Sequence, residues 1–109
     1  MAKARPTRSE DLLGASVARS ETTTRDTLIL ERIRAIPEGF VRTYGDIYPL
    51  APRLVGRLLA TTNEELPWHR VVRADGTVAK GTRQLKLLTR EGVPLIGARV
   101  DLRKARLPH

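Results

Sequence analysis

Pro49 and Pro52 stand three residues apart, and they dictate how the middle of this chain can fold. Ahead of them, Thr43 with Asp46 three residues on has the form of a capping box, with Asp where Glu is usual, so a helix starts there. Pro49 breaks that helix within about a turn, because proline has no N–H to give and its ring clashes with the preceding turn. Pro52 suits the first turn of a second helix, where an N–H is not needed, and the pattern then runs to about Thr61. Two helices joined by so tight a break have helix-turn-helix spacing, in shortened form. Leu54, Val55, Leu58 and Leu59 supply the inner side of the second helix. Arg53 and Arg57, four residues apart, share another face. Such a basic face is more commonly a solvated surface than a phosphate-contacting one.

The flanking segments complete a small α+β domain, mainly α. From about Arg25 to Ile36, Ile29, Ile33 and Ile36 recur at helical spacing, with Leu28 and Leu30 broadening the stripe, until Pro37 and Gly39 stop it. Arg73 to Val78 reads as a hairpin turn with Asp75-Gly76 supplying positive φ, which places a small two-stranded wing after the helices. Lys80, Gly81 and Arg83 read as a basic loop. Gln84 to Glu91 is a third helix with Leu85 and Leu88 inward and Gly92 as its C-cap. Val93 to Leu102 reads as a final strand with Val100 and Leu102 on one face, and the basic end Arg103–Arg106 as frayed. Residues 1–24 are rich in Ser, Thr, Arg and Glu and read as a mobile tail. One domain over 25–109 fits the 109 residues. The fold class expected is a winged helix-turn-helix-like domain with a small β wing.

Composition narrows the chemistry. The net charge is +8, and charges over 1–24 nearly balance, so +7 falls on residues 25–109. Sixteen of the 20 basic residues are Arg, which favours bidentate phosphate contacts and stacking, so nucleic acid is the favoured partner. There is no cysteine, which removes disulfides, thiolate metal sites and a thiol nucleophile. His69 and His109 alone give no histidine metal site. The serines all lie in the first 20 residues, far from either His, so a Ser-His-Asp arrangement has little support. No stretch approaches the ~20 apolar residues of a membrane span, and no apolar run follows the basic N-terminus. The expected setting is the cytoplasm, on the nucleoid if bacterial, and the expected state a monomer with no cofactor.

The run Pro67-Trp68-His69-Arg70-Val71-Val72 carries the most specific information. Pro67 fixes the backbone, and Val71 and Val72 start a strand behind it. Trp68 and His69 therefore sit at the mouth of that strand. The four aromatics, Phe40, Tyr44, Tyr48 and Trp68, all fall between residues 40 and 68, with Arg53 among them. Aromatics interleaved with Arg suit contact with an unstacked base. They equally suit a small core beneath the helix pair.

Thr43-Tyr44-Gly45-Asp46-Ile47, Arg53-Leu54-Val55-Gly56, the Pro67–Val72 run, Asp75-Gly76, Leu87-Leu88 and Glu91-Gly92 together resemble the DNA-binding domain of O6-alkylguanine-DNA alkyltransferases, in the same order, over about residues 26–102. The family's nucleophilic Cys stands between Pro and His. Trp68 occupies that position here, which makes the match one to the alkyltransferase-like proteins, whose fold is kept and nucleophile replaced. Dealkylation needs a thiolate and a His to take its proton. Indole supplies no such nucleophile, so the resemblance implies a non-enzymatic protein, with His69 and Glu91 left as a structural network.

By the same resemblance, Arg53 fills the gap left by a flipped nucleotide and Tyr44 helps rotate it out. Tyr44 and Trp68, with His69, Val71, Val72 and Lys80, are expected in the lesion pocket, and Thr43, Tyr44, Arg53, Arg57, Arg70 and Arg83 on the DNA-binding surface. The helix pair would enter the minor groove. The implied partner is double-stranded DNA carrying O6-alkylguanine, marked for nucleotide excision repair proteins. The spacing from Tyr44 to Arg53 is several residues shorter than usual. Gly81 follows Lys80 where some members place an Arg that senses the base, leaving Lys80 or Arg83 to supply that charge. Two other functions compete: a winged-helix regulator reading sequence in the major groove, and an enzyme with residual hydrolytic activity.

Overall fold

The computed structural model describes residues 14–108. The described residues form five helices and two small sheets: α1 Gly14–Arg34, β1 Arg42–Thr43, α2 Tyr44–Ile47, α3 Pro52–Thr61, β2 Val71–Val72, α4 Gly81–Arg90, β3 Leu95–Ile96, β4 Arg99–Val100 and α5 Leu102–Ala105. A 3-10 turn, Trp68–Arg70, leads into β2. The architecture is mainly helical with a small antiparallel pair, as a winged helix-turn-helix-like domain requires. No helix among the described residues is long and apolar enough to cross a membrane.

The local signals around the helix pair form as the residues dictate. The Thr43 hydroxyl accepts the Asp46 N–H at 3.0 Å, and the Asp46 carboxylate accepts the Thr43 N–H at 3.1 Å, so both halves of the capping box close. Pro52 starts α3, and Leu54 and Val55 are its buried residues. Ile29, Ile33 and Ile36 are fully buried, and with Ile47, Leu54, Val55 and Val71 they make one core cluster. A second cluster comprises Val41, Val72, Leu88, Val93, Val100 and Ala105. Successive side chains on a strand point to opposite faces. Val71 therefore enters the first cluster and Val72 the second, and β2 is the partition between them.

Several expectations are corrected. The helix expected from Arg25 begins at Gly14, so residues 14–24 of the expected tail are helical; residues 1–13 lie outside the described residues. The wing is not at 71–78. There Arg73 N–H donates to the Thr77 carbonyl at 2.9 Å, making a turn, while β2 pairs in parallel with β1, Arg42 beside Val71 and Thr43 beside Val72. The antiparallel hairpin is β3–β4, folded about Gly97 at φ 61, so the final strand expected over 93–102 is a hairpin followed by α5. Lys80 and Gly81 are not a loop ahead of a helix at Gln84. The Gln84 side chain accepts the Lys80 N–H at 3.1 Å and so starts α4 at Gly81. Nor is the basic end frayed. Ala105 is fully buried, Val41 bridges Arg106, and Arg106 clamps Asp46 through two bonds of 2.9 and 2.5 Å.

Gly76 joins the 73–77 turn to β4. Its φ is 87, and its carbonyl accepts the Val100 N–H at 2.9 Å. A Cβ there would lie 2.5 Å from the Val100 carbonyl oxygen. Gly76→Ala should therefore cost at least about 2 kcal/mol, combining left-handed strain with a backbone clash. Gly97→Ala, at φ 61 with nothing within 4 Å of the added methyl, should cost only about 1 kcal/mol. Urea denaturation of the two variants measures the difference.

Candidate nucleic-acid interface

A cavity of about 490 Å³ opens between α2, α3, the 3-10 turn and the start of α4. Of the residues singled out from sequence, Tyr44, Trp68, Lys80 and Arg83 line it. Each comes from a different place: Tyr44 is the first residue of α2, Trp68 opens the 3-10 turn, Lys80 caps α4 and Arg83 lies in its first turn. The Arg83 guanidinium carbon sits 5.3 Å from the centre of the Trp68 ring. This cation–π contact draws charge onto the indole face. The His69 ring meets Trp68 edge-on, at 5.8 Å and 83°. Burial raises the Tyr44 phenol above its usual value, against the lowering pull of Arg73, so at neutral pH it keeps its proton and can donate it in a hydrogen bond.

The remaining lining residues were not anticipated: Gly56, Leu59 and Ala60 of α3, then Ala79 and Gln84. Gln84 carries the local architecture. It is 1% exposed, and its Nε2 donates to the His69 carbonyl at 3.0 Å and the Val71 carbonyl at 2.8 Å. Its signal in the sequence was its place in the inward stripe of α4, with Leu87, Leu88 and Glu91 at positions i+3, i+4 and i+7; a polar residue there must have a buried partner. A Cβ at Gly56 would make an ordinary van der Waals contact with the Tyr44 ring, 3.7 Å away, so α3 passes close beside that ring here.

Seven of the expected site residues stand outside the cavity lining. Val71 and Val72 are fully buried, and the Val71 carbonyl takes the Gln84 amide, so they support the cavity from behind. Thr43 is 4% exposed and its hydroxyl caps α2, which withdraws it from the expected DNA-binding surface. Arg70 is likewise withdrawn. Its guanidinium donates to both Glu91 oxygens and to the Ile36 carbonyl, the last at 2.8 Å. His69 Nε2 lies 2.6 Å from the same carboxylate, and Gly39 N–H donates to it at 3.3 Å. Arg53 and Arg57 are exposed on α3, outside the cavity lining. With Gly56 and Ala60 they form one stripe at spacings of three and four, so the cationic face runs continuously into the cavity wall.

Residues 25–93 match the family model described as the 6-O-methylguanine DNA methyltransferase DNA-binding domain. A DNA base-flipping protein of Escherichia coli (strain K12) is 42% identical over 86 residues, covering 68% of this chain and 67% of that protein. A protein of the same name from Vibrio parahaemolyticus is 40% identical over 85 residues, 66% of this chain and 84% of the relative. Among solved structures, S. pombe Atl1 in complex with damaged DNA containing O6-carboxymethylguanine superposes with a TM-score of 0.69 at 26% identity, over 80% of this chain and 97% of that one.

Glu91 gives this site a measurable acid response. Burial pushes its carboxyl up, but the hydrogen bonds from Arg70, His69 and the Gly39 amide outweigh that and hold it down at about 2, against an ordinary 4.5. A depressed carboxylate stabilises the fold fully above about pH 4.5, and that contribution is lost as pH falls through about 2. The shift corresponds to roughly 3 kcal/mol. Glu91→Gln should lose about that much at pH 7 and show a flatter stability profile between pH 4.5 and 2, read by urea melts across pH.

Proposed function

Since the chain belongs to the alkyltransferase-like branch of the 6-O-methylguanine DNA methyltransferase DNA-binding-domain family, we propose that it binds O6-alkylguanine in duplex DNA, turns the damaged nucleotide out of the stack into the cavity beside Trp68, and marks the site for nucleotide excision repair without chemistry of its own. The observation that carries this is Trp68 itself. It stands where the family's thiol would be and lines an open cavity with Tyr44, Lys80 and Arg83. The indole gives a stacking face for an extruded base, and Tyr44 and Lys80 are donors at its rim. The chain has no cysteine, so it has no acceptor for alkyl transfer. The base-flipping name of the bacterial relatives and the damaged DNA bound to S. pombe Atl1 support the same reading.

In this reading α3 lies in the minor groove and Arg53 fills the gap in the duplex. Extruding a base costs a few kcal/mol, least where its pairing is already damaged. The cost is offset by stacking on Trp68, by the Arg53 side chain and by phosphate contacts from Arg57 and its neighbours.

The direct test is a titration of matched duplexes with and without O6-methylguanine. Tighter binding to the damaged duplex is expected; equal binding, or preference for a sequence regardless of damage, would favour a sequence-reading regulator. Arg53→Ala should lower the 2-aminopurine signal of an extruded target base at saturating protein. Arg57→Ala should weaken lesion and plain DNA alike and reduce the salt slope by roughly one, with the fluorescence unchanged. Equal fluorescence from wild type and Arg53→Ala would remove the gap-filling role.

A further inference from the structure

Leu50 is the most exposed large apolar side chain among the described residues, at 87%. It lies in the break between α2 and α3, immediately before Ala51, the N-cap of α3. An apolar residue in that position ordinarily packs as a staple against the fourth residue of the helix. Here the fourth residue is Val55, which is fully buried within the first core cluster, and Leu50 stays outside it. The fold therefore has no use for this side chain.

Its mounting is rigid. Pro49 precedes it and Pro52 opens the helix after it, so two fixed φ angles bracket the exposed leucine. The Ala51 N–H donates to the Tyr48 carbonyl at 3.2 Å, and the Leu54 N–H to the Ala51 carbonyl at 3.0 Å, closing a turn on each side. Rigid presentation is what an inserting side chain needs, since little freedom is lost when it enters a partner. The surroundings are cationic. Arg53 is three residues on and Arg57 one turn further, both exposed, while Ala51 offers no side-chain cap and Pro52 no N–H at the positive end of α3.

We infer that Leu50 is an apolar wedge that enters the minor groove beside Arg53 and partly unstacks a neighbouring base step, so that the duplex is bent at the docking site. Apolar side chains inserted from minor-groove proteins kink DNA in this way. Three residues of chain span at most about 10 Å, which keeps Leu50 within about three base steps of the gap Arg53 fills. Polyanionic DNA fits the charge around Leu50, and a purely apolar partner does not. The inference rests on the proposed minor-groove docking and adds to it a second inserting group, on the shortened break between the helices.

The test compares wild type, Leu50→Ala and Leu50→Met on one duplex labelled at both ends for energy transfer and carrying 2-aminopurine at the target. Leu50→Ala should reduce the bend at saturating protein and weaken lesion and plain DNA about tenfold, with the salt slope and the melting temperature unchanged. Leu50→Met keeps an apolar insert and should restore both bend and affinity. Wild-type bend and affinity within twofold in Leu50→Ala, with flipping intact, would overturn the wedge and leave the proposed function standing. A wild-type protein that neither flips nor bends DNA would overturn both. A wild-type dimer in sedimentation that Leu50→Ala turns into monomer would assign the side chain to a contact between two copies and overturn the wedge.

Discussion

The Glu91 carboxylate is the point on which the separate parts of this molecule are hung. It sits just past the end of α4 and receives Arg70 and His69 from the turn before β2 and the Gly39 amide from the loop after α1. Arg70 in turn holds the Ile36 carbonyl at the end of α1. One largely covered anion, 12% exposed, thus fixes the distance between three segments that are far apart in sequence. The turn it fixes begins with Trp68. A charge cluster is costly to bury unless every member is hydrogen-bonded, and this one is closed on all sides. The two residues that follow the indole, His69 and Arg70, are both tied to that carboxylate.

A thiol is not needed for that arrangement. In an alkyltransferase the His beside the nucleophile takes a proton; in this chain the same imidazole contacts a carboxylate and the edge of an indole. The hydrogen bonds that would tune a catalytic base instead orient a turn. The contacts that hold the Trp68–Arg70 turn in place involve Glu91, Ile36 and Gly39, and none of them passes through the indole. The cavity is lined by two aromatic side chains, Tyr44 and Trp68, and two cations, Lys80 and Arg83.

Much of this was legible in the sequence, and the failures have physical reasons. The capping box at Thr43, the break at Pro49, the start at Pro52 and the buried isoleucines of α1 were readable because each depends on residues a few positions apart. The pairing of β2 was not. Asp75-Gly76 gives the turn that a hairpin needs, but β2 finds its partner in β1, nearly thirty residues upstream, and no local pattern announces a two-residue parallel pair. The basic end was misread for a related reason. Its order comes from Arg106 reaching Asp46 and from Ala105 entering the second core, both long-range. In the site, Tyr44, Trp68, Lys80 and Arg83 were anticipated and meet. Gln84 was missed because its importance lies in the backbone carbonyls it holds.

The parallel pairing has a consequence for chain length. Arg42 lies beside Val71 and Thr43 beside Val72, so everything between them, including α2 and α3, is an excursion whose two ends are fastened together. Once its ends are fixed, lengthening or shortening such an excursion changes closure entropy only slowly, by about 0.6 kcal/mol per doubling. Closure entropy alone therefore sets little limit on the length of the segment between β1 and β2. What holds the length of the break is packing: Ile47 before it and Leu54 and Val55 after it enter the same core, so a change there must leave those three side chains in register.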